Sequence, residues 1–169
     1  MSVFRWVGII SQLYVKPART AVIDMVPYMN SQETIMELAH KPLFQNLNEL
    51  SGLKGASVTG TNETILIQQA SGVLLKAGKK GIDGVTFQDN TAALQQFQFG
   101  QADAYATPYE IGAYYMKTAP GQFEISDKPY YKILTGIGLR RDEPGLRDAF
   151  VNHLASMEKE GSYTAIFAK

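Results

Sequence analysis

Between Ala56 and Lys117 two hydrophobic periods take turns, and no other feature narrows the possible folds as much. Strand-like runs at 56–59, about 84–87 and 102–106 are each followed by a helix-like stretch, at about 62–77, 90–99 and 108–117. Such alternation implies a parallel sheet with helices on both faces, because parallel neighbours need crossovers long enough to hold a helix. In the first helix Ile65, Leu66, Ala70, Val73, Leu74 and Ala77 recur at helical spacing, and Gly78 lies just past the end. Asp89, Asn90 or Thr91 can cap the second helix, which carries Ala93, Leu94 and Phe97. These stripes read as core and carry no chemistry.

The stretch from Leu50 to Glu63 leads from a short β-rich run through Gly60 into the first of those helices. The first N–H groups of a helix have no internal partner, and the summed peptide dipole puts partial positive charge there. An anion is therefore favoured at Gly60, Thr61 and Asn62. Gly55 and Gly60 stand five apart, as in a phosphate-cradling loop. That loop needs Lys and then Ser or Thr after the second glycine, whereas Thr61 and Asn62 follow here, so the nucleotide reading is rejected. A carboxylate needs less charge, and the plainer alternative is that Thr61 merely caps its own helix.

The remaining chain reads more loosely. Val7 to Val15 is expected as a strand that leaves Ser11, Gln12 and Tyr14 at its end, before a turn or short helix at Lys16-Pro17-Ala18-Arg19. Val22 to Tyr28 is expected as extended chain broken by Pro27, and Gln32 to Leu38 as strand or helix, with strand favoured. Strands are expected at 122–126 and 131–140. A helix opening at Pro144 carries Leu146, Ala149, Phe150, Leu154 and Met157 on one face until Gly161, and a short helix at 163–168 follows.

With 169 residues, 45% apolar content and 16 basic against 16 acidic groups, the chain can build an ordinary globular core. Balanced charge gives no support for nucleic acid as a partner. Cysteine is absent and His40 and His153 are the only histidines, so a disulfide framework is excluded and a structural zinc site is not expected. No cofactor motif is present. The start has one basic residue and a short apolar run but no clear small-residue cleavage site, and is not read as a signal peptide.

Taken together, several passages resemble one family. They are Pro17-Ala18-Arg19 leading to Val22 through Tyr28, Leu50 through Thr61, Gly100 through Ala104, Thr135 through Arg140, Leu146-Arg147, and Glu160 through Tyr163. Their order and spacing resemble the periplasmic amino-acid-type binding proteins of ABC transporters, extracellular solute-binding protein family 3. The resemblance implies a periplasmic binding protein-like type II α/β fold, with one complete α/β lobe and an incomplete second one. Residues 1–35 and 135–169 would be the remnant of the first lobe, and 36–134 the second lobe with its parallel sheet. It further implies a clamp that closes over a small polar solute bearing a carboxylate, a membrane permease as partner, no catalysis, and a periplasmic location.

Carried over by the resemblance, Arg19 grips the ligand carboxylate from the first lobe and Ser11, Gln12 and Tyr14 line the same wall. Thr61, with the backbone at Gly60 and Asn62, supplies donors from the second. Arginine presents a planar fork matched to a carboxylate; the plainer alternative for Arg19 is a surface pair with Asp24. Two departures stand out. Where the family places an aspartate for the ligand's ammonium this chain has Pro108, with Glu110 nearby. The family's first lobe also begins well before the segment matching Val7, which would expose sheet edges and invite self-association. A truncated fragment or interaction module is therefore the alternative. A dehydratase on the same scaffold is a third reading, with Glu110, Glu33 and His40 as its acid-base candidates.

Overall fold

The computed structural model of the chain describes residues 7–126 and 128–168; the opening residues 1–6 lie outside them. The chain divides into two compact units, Ser31–Lys132 and the discontinuous pair Met1–Asn30 with Ile133–Lys169. In order the elements are β1 (Gly8–Ile9), α1 (Pro17–Thr20), β2 (Asp24–Leu38), a 3-10 turn (Leu47–Leu50), β3 (Lys54–Val58), α2 (Asn62–Lys76) and β4 (Asp83–Phe87). Then come α3 (Asn90–Gln98), β5 (Ala104–Pro108), α4 (Tyr109–Thr118), β6 (Phe123–Ile125), β7 (Tyr130–Leu139), α5 (Pro144–Glu160) and α6 (Ser162–Phe167). Strands β2 and β7 each pass from one unit into the other.

In the unit Ser31–Lys132 the strand order is β2-β5-β3-β4, with β6 also paired to β2. The expected parallel sheet is in fact mixed. Strand β3 runs parallel to β4 and β5, but β2 joins β5 and β6 antiparallel. The physical reason is that β2 precedes the alternating segment, so no βαβ crossover fixes its direction.

Register then sorts the side chains, because successive residues point to opposite faces. Met36 and Tyr105, which pair across β2 and β5, pack with Ala56, Ala93 and Phe97 under α3. On the other face Ile35 and Ala106 pack with Leu50, Ile67 and Leu74 under α2. Helix α2 keeps Leu66, Ala70 and Leu74 of the expected stripe against this core and adds Ile67. Ile65 and Val73 are exposed, and Glu63, Ile67 and Leu74 face inward. Asp89 caps α3 by accepting from the Ala92 N–H at 2.8 Å.

The other unit is thinner. The expected strand from Val7 to Val15 pairs only at Gly8 and Ile9, with Leu139 and Gly138 of β7. A tight turn in which the Leu13 N–H donates to the Ser11 carbonyl at 2.7 Å interrupts the ladder, and it resumes as a single bridge between Tyr14 and Thr135. Gly136 and Gly138 explain how 13–15 and 23–25 lie so close over β7. A Cβ on Gly136 would stand 2.9 Å from Val15 Cγ2, and one on Gly138 would stand 2.8 Å from Leu13 Cδ2. The alternate residues Ile137 and Leu139 point the other way, forming a small core with Val26 beneath Leu146, Phe150 and Leu154 of α5. Ala149, expected on that stripe, is exposed. Pro27 does not break β2: it is exposed, and its fixed φ suits extended chain.

Glu37 of β2 is fully buried. One oxygen accepts from the Phe44 N–H at 2.8 Å, and Glu124 stands opposite on β6. Burial pushes its carboxyl up to about 7, against the Phe44 donation that lowers it, while Glu124 and Glu49 add like charge. An unfolded glutamate releases its proton near 4.5. Between those values the native state binds more protons than the unfolded one, so this contribution to stability falls as pH rises through that window. Denaturant midpoints should therefore be lower at pH 8 than at pH 5, and Glu37→Gln should flatten the difference. An unchanged slope in the variant would locate the effect elsewhere.

Candidate functional site

The site residues fall in both units, so each half is described by itself. In the unit that contains β1, Tyr14 is buried and bridged to Thr135, which anchors the segment after the Ser11 turn to β7. The Ser11 carbonyl also accepts from the Tyr28 hydroxyl at 3.2 Å. Gln12 is half-buried beside it. Proline at the start of α1 presets the helical φ and sets Arg19 two residues later. There the Arg19 guanidinium donates to the Tyr14 carbonyl at 2.8 Å. That bond aims one edge of the fork and holds the half-buried side chain over the Tyr14 backbone. The alternative pair with Asp24 is not formed, since Asp24 faces Arg141 at 3.9 Å. Among the described residues no carboxylate pairs with Arg19.

In the unit Ser31–Lys132, β3 ends at Val58 and Gly60 turns the chain at φ 76°, where a side chain would be strained. Thr61 then occupies the N-cap position of α2 without capping it. Its hydroxyl donates to the Val58 carbonyl at 2.8 Å, and the Val58 carbonyl oxygen also accepts from Thr64 Oγ1 at 2.7 Å. A hydroxyl has one hydrogen, so Thr61 in this arrangement offers an incoming group lone pairs and no donor.

Asn62 turns its side chain inward. It is buried, and its Nδ2 donates to Glu33 Oε1 at 2.9 Å, linking the first turn of α2 to β2. Glu33 and Glu63 are both buried at this end of the sheet. The phenol of Tyr130 is pushed up chiefly by burial and further by the charges of Glu33 and Glu63. Glu33 is the antiparallel partner of Pro108, so a carboxylate stands across the ladder from the position that lacks one. Glu110 follows in the first turn of α4 and accepts from Ser31 Oγ at 2.9 Å.

The mouth of α2 thus joins backbone donors to an acidic surround. The acidic surround was missed from the sequence, although Glu33, Ile35 and Glu37 share one face of a strand and Ile35 marks that face as core. Of the acid-base candidates, Glu33 and Glu110 lie at this end of the sheet and His40 does not. His40 lies beyond the far end of β2, seven positions from Glu33, about 20 Å in extended chain. Among the described residues no cluster of three or more His, Cys, Asp or Glu could hold a metal ion. Asn62→Ala removes a donor from a buried carboxylate, and a loss of about 2 kcal/mol in unfolding free energy is expected by urea denaturation.

No family model and no curated protein sequence matches the chain. Solved structures do. An ancestral amino acid-binding protein, described as a precursor of cyclohexadienyl dehydratase, aligns at TM-score 0.79 with 26% identity over 96% of this chain and 68% of its own. An ancestral arginine-binding protein bound to glutamine aligns at 0.81 with 21% identity, over 95% and 69%. The arginine-, lysine-, histidine-binding protein ArtJ from Geobacillus stearothermophilus aligns at 0.78 with 19% identity, over 95% and 68%. About a third of each of those chains' length has no counterpart here, consistent with one full α/β lobe and part of another. The chain therefore has the periplasmic binding protein-like type II fold of the family 3 solute-binding proteins.

Proposed function

We propose that the chain is a solute-binding component of an ABC transporter that captures a small polar solute with a carboxylate, an amino acid or a relative, in the periplasm. Arg19 carries the reading. It is half-buried, oriented by the Tyr14 carbonyl, and has no carboxylate partner among the described residues. A guanidinium held in this way suits a bidentate carboxylate. In the other unit the backbone N–H groups that open α2 suit an anionic group, and Glu110 suits a cationic one. Ser11, Gln12 and Tyr14 would form the wall on the Arg19 side, and Gly60, Thr61 and Asn62 the α2 mouth. The amino-acid ligands named for the solved neighbours support this choice of solute class.

Two further readings rest on specific observations. The likeness to a dehydratase precursor keeps an enzyme in view, and turnover of prephenate followed by absorbance would establish it. Helix α5 spans Pro144–Glu160 yet shows no fully buried position among its described side chains, which favours a fragment that associates with itself or another chain. A monomer by size-exclusion chromatography with saturable ligand affinity speaks against that reading. Calorimetric titration with amino acids and organic acids tests the leading one. Arg19→Met should weaken binding by about 100-fold, near 3 kcal/mol, while the melting temperature stays within a few degrees. The absence of a heat signal with every member of the panel would end it.

A further inference from the structure

We propose that a pocket in the unit Met1–Asn30 with Ile133–Lys169 binds a small organic cation, a guanidinium or alkylammonium on a short apolar stem. The pocket holds about 240 Å³ and is lined in part by Tyr28, Leu134, Leu154, Glu158 and Tyr163. Its shape comes from the turn between α5 and α6, where Gly161 adopts φ 78° and swings Tyr163 back toward β2. The Tyr163 hydroxyl donates to the Tyr28 carbonyl and fixes that wall.

Chemistry selects the occupant. Among the described residues Glu158 is the one charged side chain in the lining. Glu158 is exposed and lines the pocket together with Tyr163, and its charge adds to the burial that pushes the Tyr163 phenol upward. Among the described residues the ion pairs are Arg140–Asp142, Arg141–Asp24 and Arg147–Asp148, and none uses Glu158. An anion would be repelled, and a neutral apolar molecule would leave the carboxylate to water. A cation gains from the carboxylate and from the tyrosine rings, and its stem lies against Leu134 and Leu154.

The place matters as well. The lining includes Asn30, the last residue of the first stretch of this unit, and Leu134, the second residue of the returning stretch. An occupant touches both crossing strands where they leave the unit. This site is separate from Arg19, which would take the opposite charge.

The test uses the full chain and n-butylguanidinium, which has no carboxylate, followed by amide NMR shifts. Saturable shifts in the millimolar range centred on Tyr28, Leu134, Glu158 and Tyr163 are expected. n-Butanol should bind at least about tenfold more weakly, and this comparison needs no variant. Glu158→Gln should weaken the guanidinium by about tenfold and Glu158→Lys should abolish its binding, whereas Arg19→Met should leave it unchanged. Equal affinity for n-butanol, unaltered binding to Glu158→Gln, or shifts centred elsewhere would each overturn the proposal. Loss of binding in Arg19→Met would assign the guanidinium to the other site.

Discussion

Strand β2 runs for fifteen residues, belongs to both units and lies between β7 and β5 with β6 also paired to it, so these three neighbours have to fit its register. Its first part supplies Val26 to a small core with Ile137 and Leu139. Its second part lies against β5 and β6 and is buried from Glu33 to Glu37. A one-residue slip would exchange Ile35 and Met36 between faces and carry Glu33 and Glu37 into the layer occupied by Phe97. The polar contacts of these two glutamates, to Asn62 and to the Phe44 N–H, reinforce the same register.

That register also sets the electrostatics at the mouth of α2. A helix start attracts negative charge, and here Glu33 reaches it through the Asn62 amide. Glu63 adds a second buried carboxylate in the first turn. The half that contains Arg19 has the reverse character, a guanidinium steered by a neutral carbonyl.

Much of this was legible because the relevant signals are local. The alternation after Ala56 located α2, α3, α4 and the strands between them to within about two residues, since each period reflects one buried face. The turn at Gly60 was legible for the same reason, as a β-run meeting a helix start. The direction of β2 was not, because antiparallel pairing with β5 joins residues as distant as Glu33 and Pro108. The inward turn of Asn62 was hidden for a related reason: its partner Glu33 lies on another strand, and no spacing within α2 reports it. Pro27 misled in the opposite sense, since a residue that interrupts central strands is harmless where it is exposed. Arg19 was visible as a candidate through the resemblance, but its bond to the Tyr14 carbonyl required coordinates.

The division of the chain has a consequence for biosynthesis. Ser31–Lys132 is one uninterrupted stretch, so all the strand segments of that unit have been translated before Ile133 is added. Gly8, by contrast, pairs with Leu139 and has no register until that residue leaves the ribosome. At about 5–20 residues per second the wait is on the order of ten seconds. During that interval the segment around Gly8 would be a natural client for a holding chaperone.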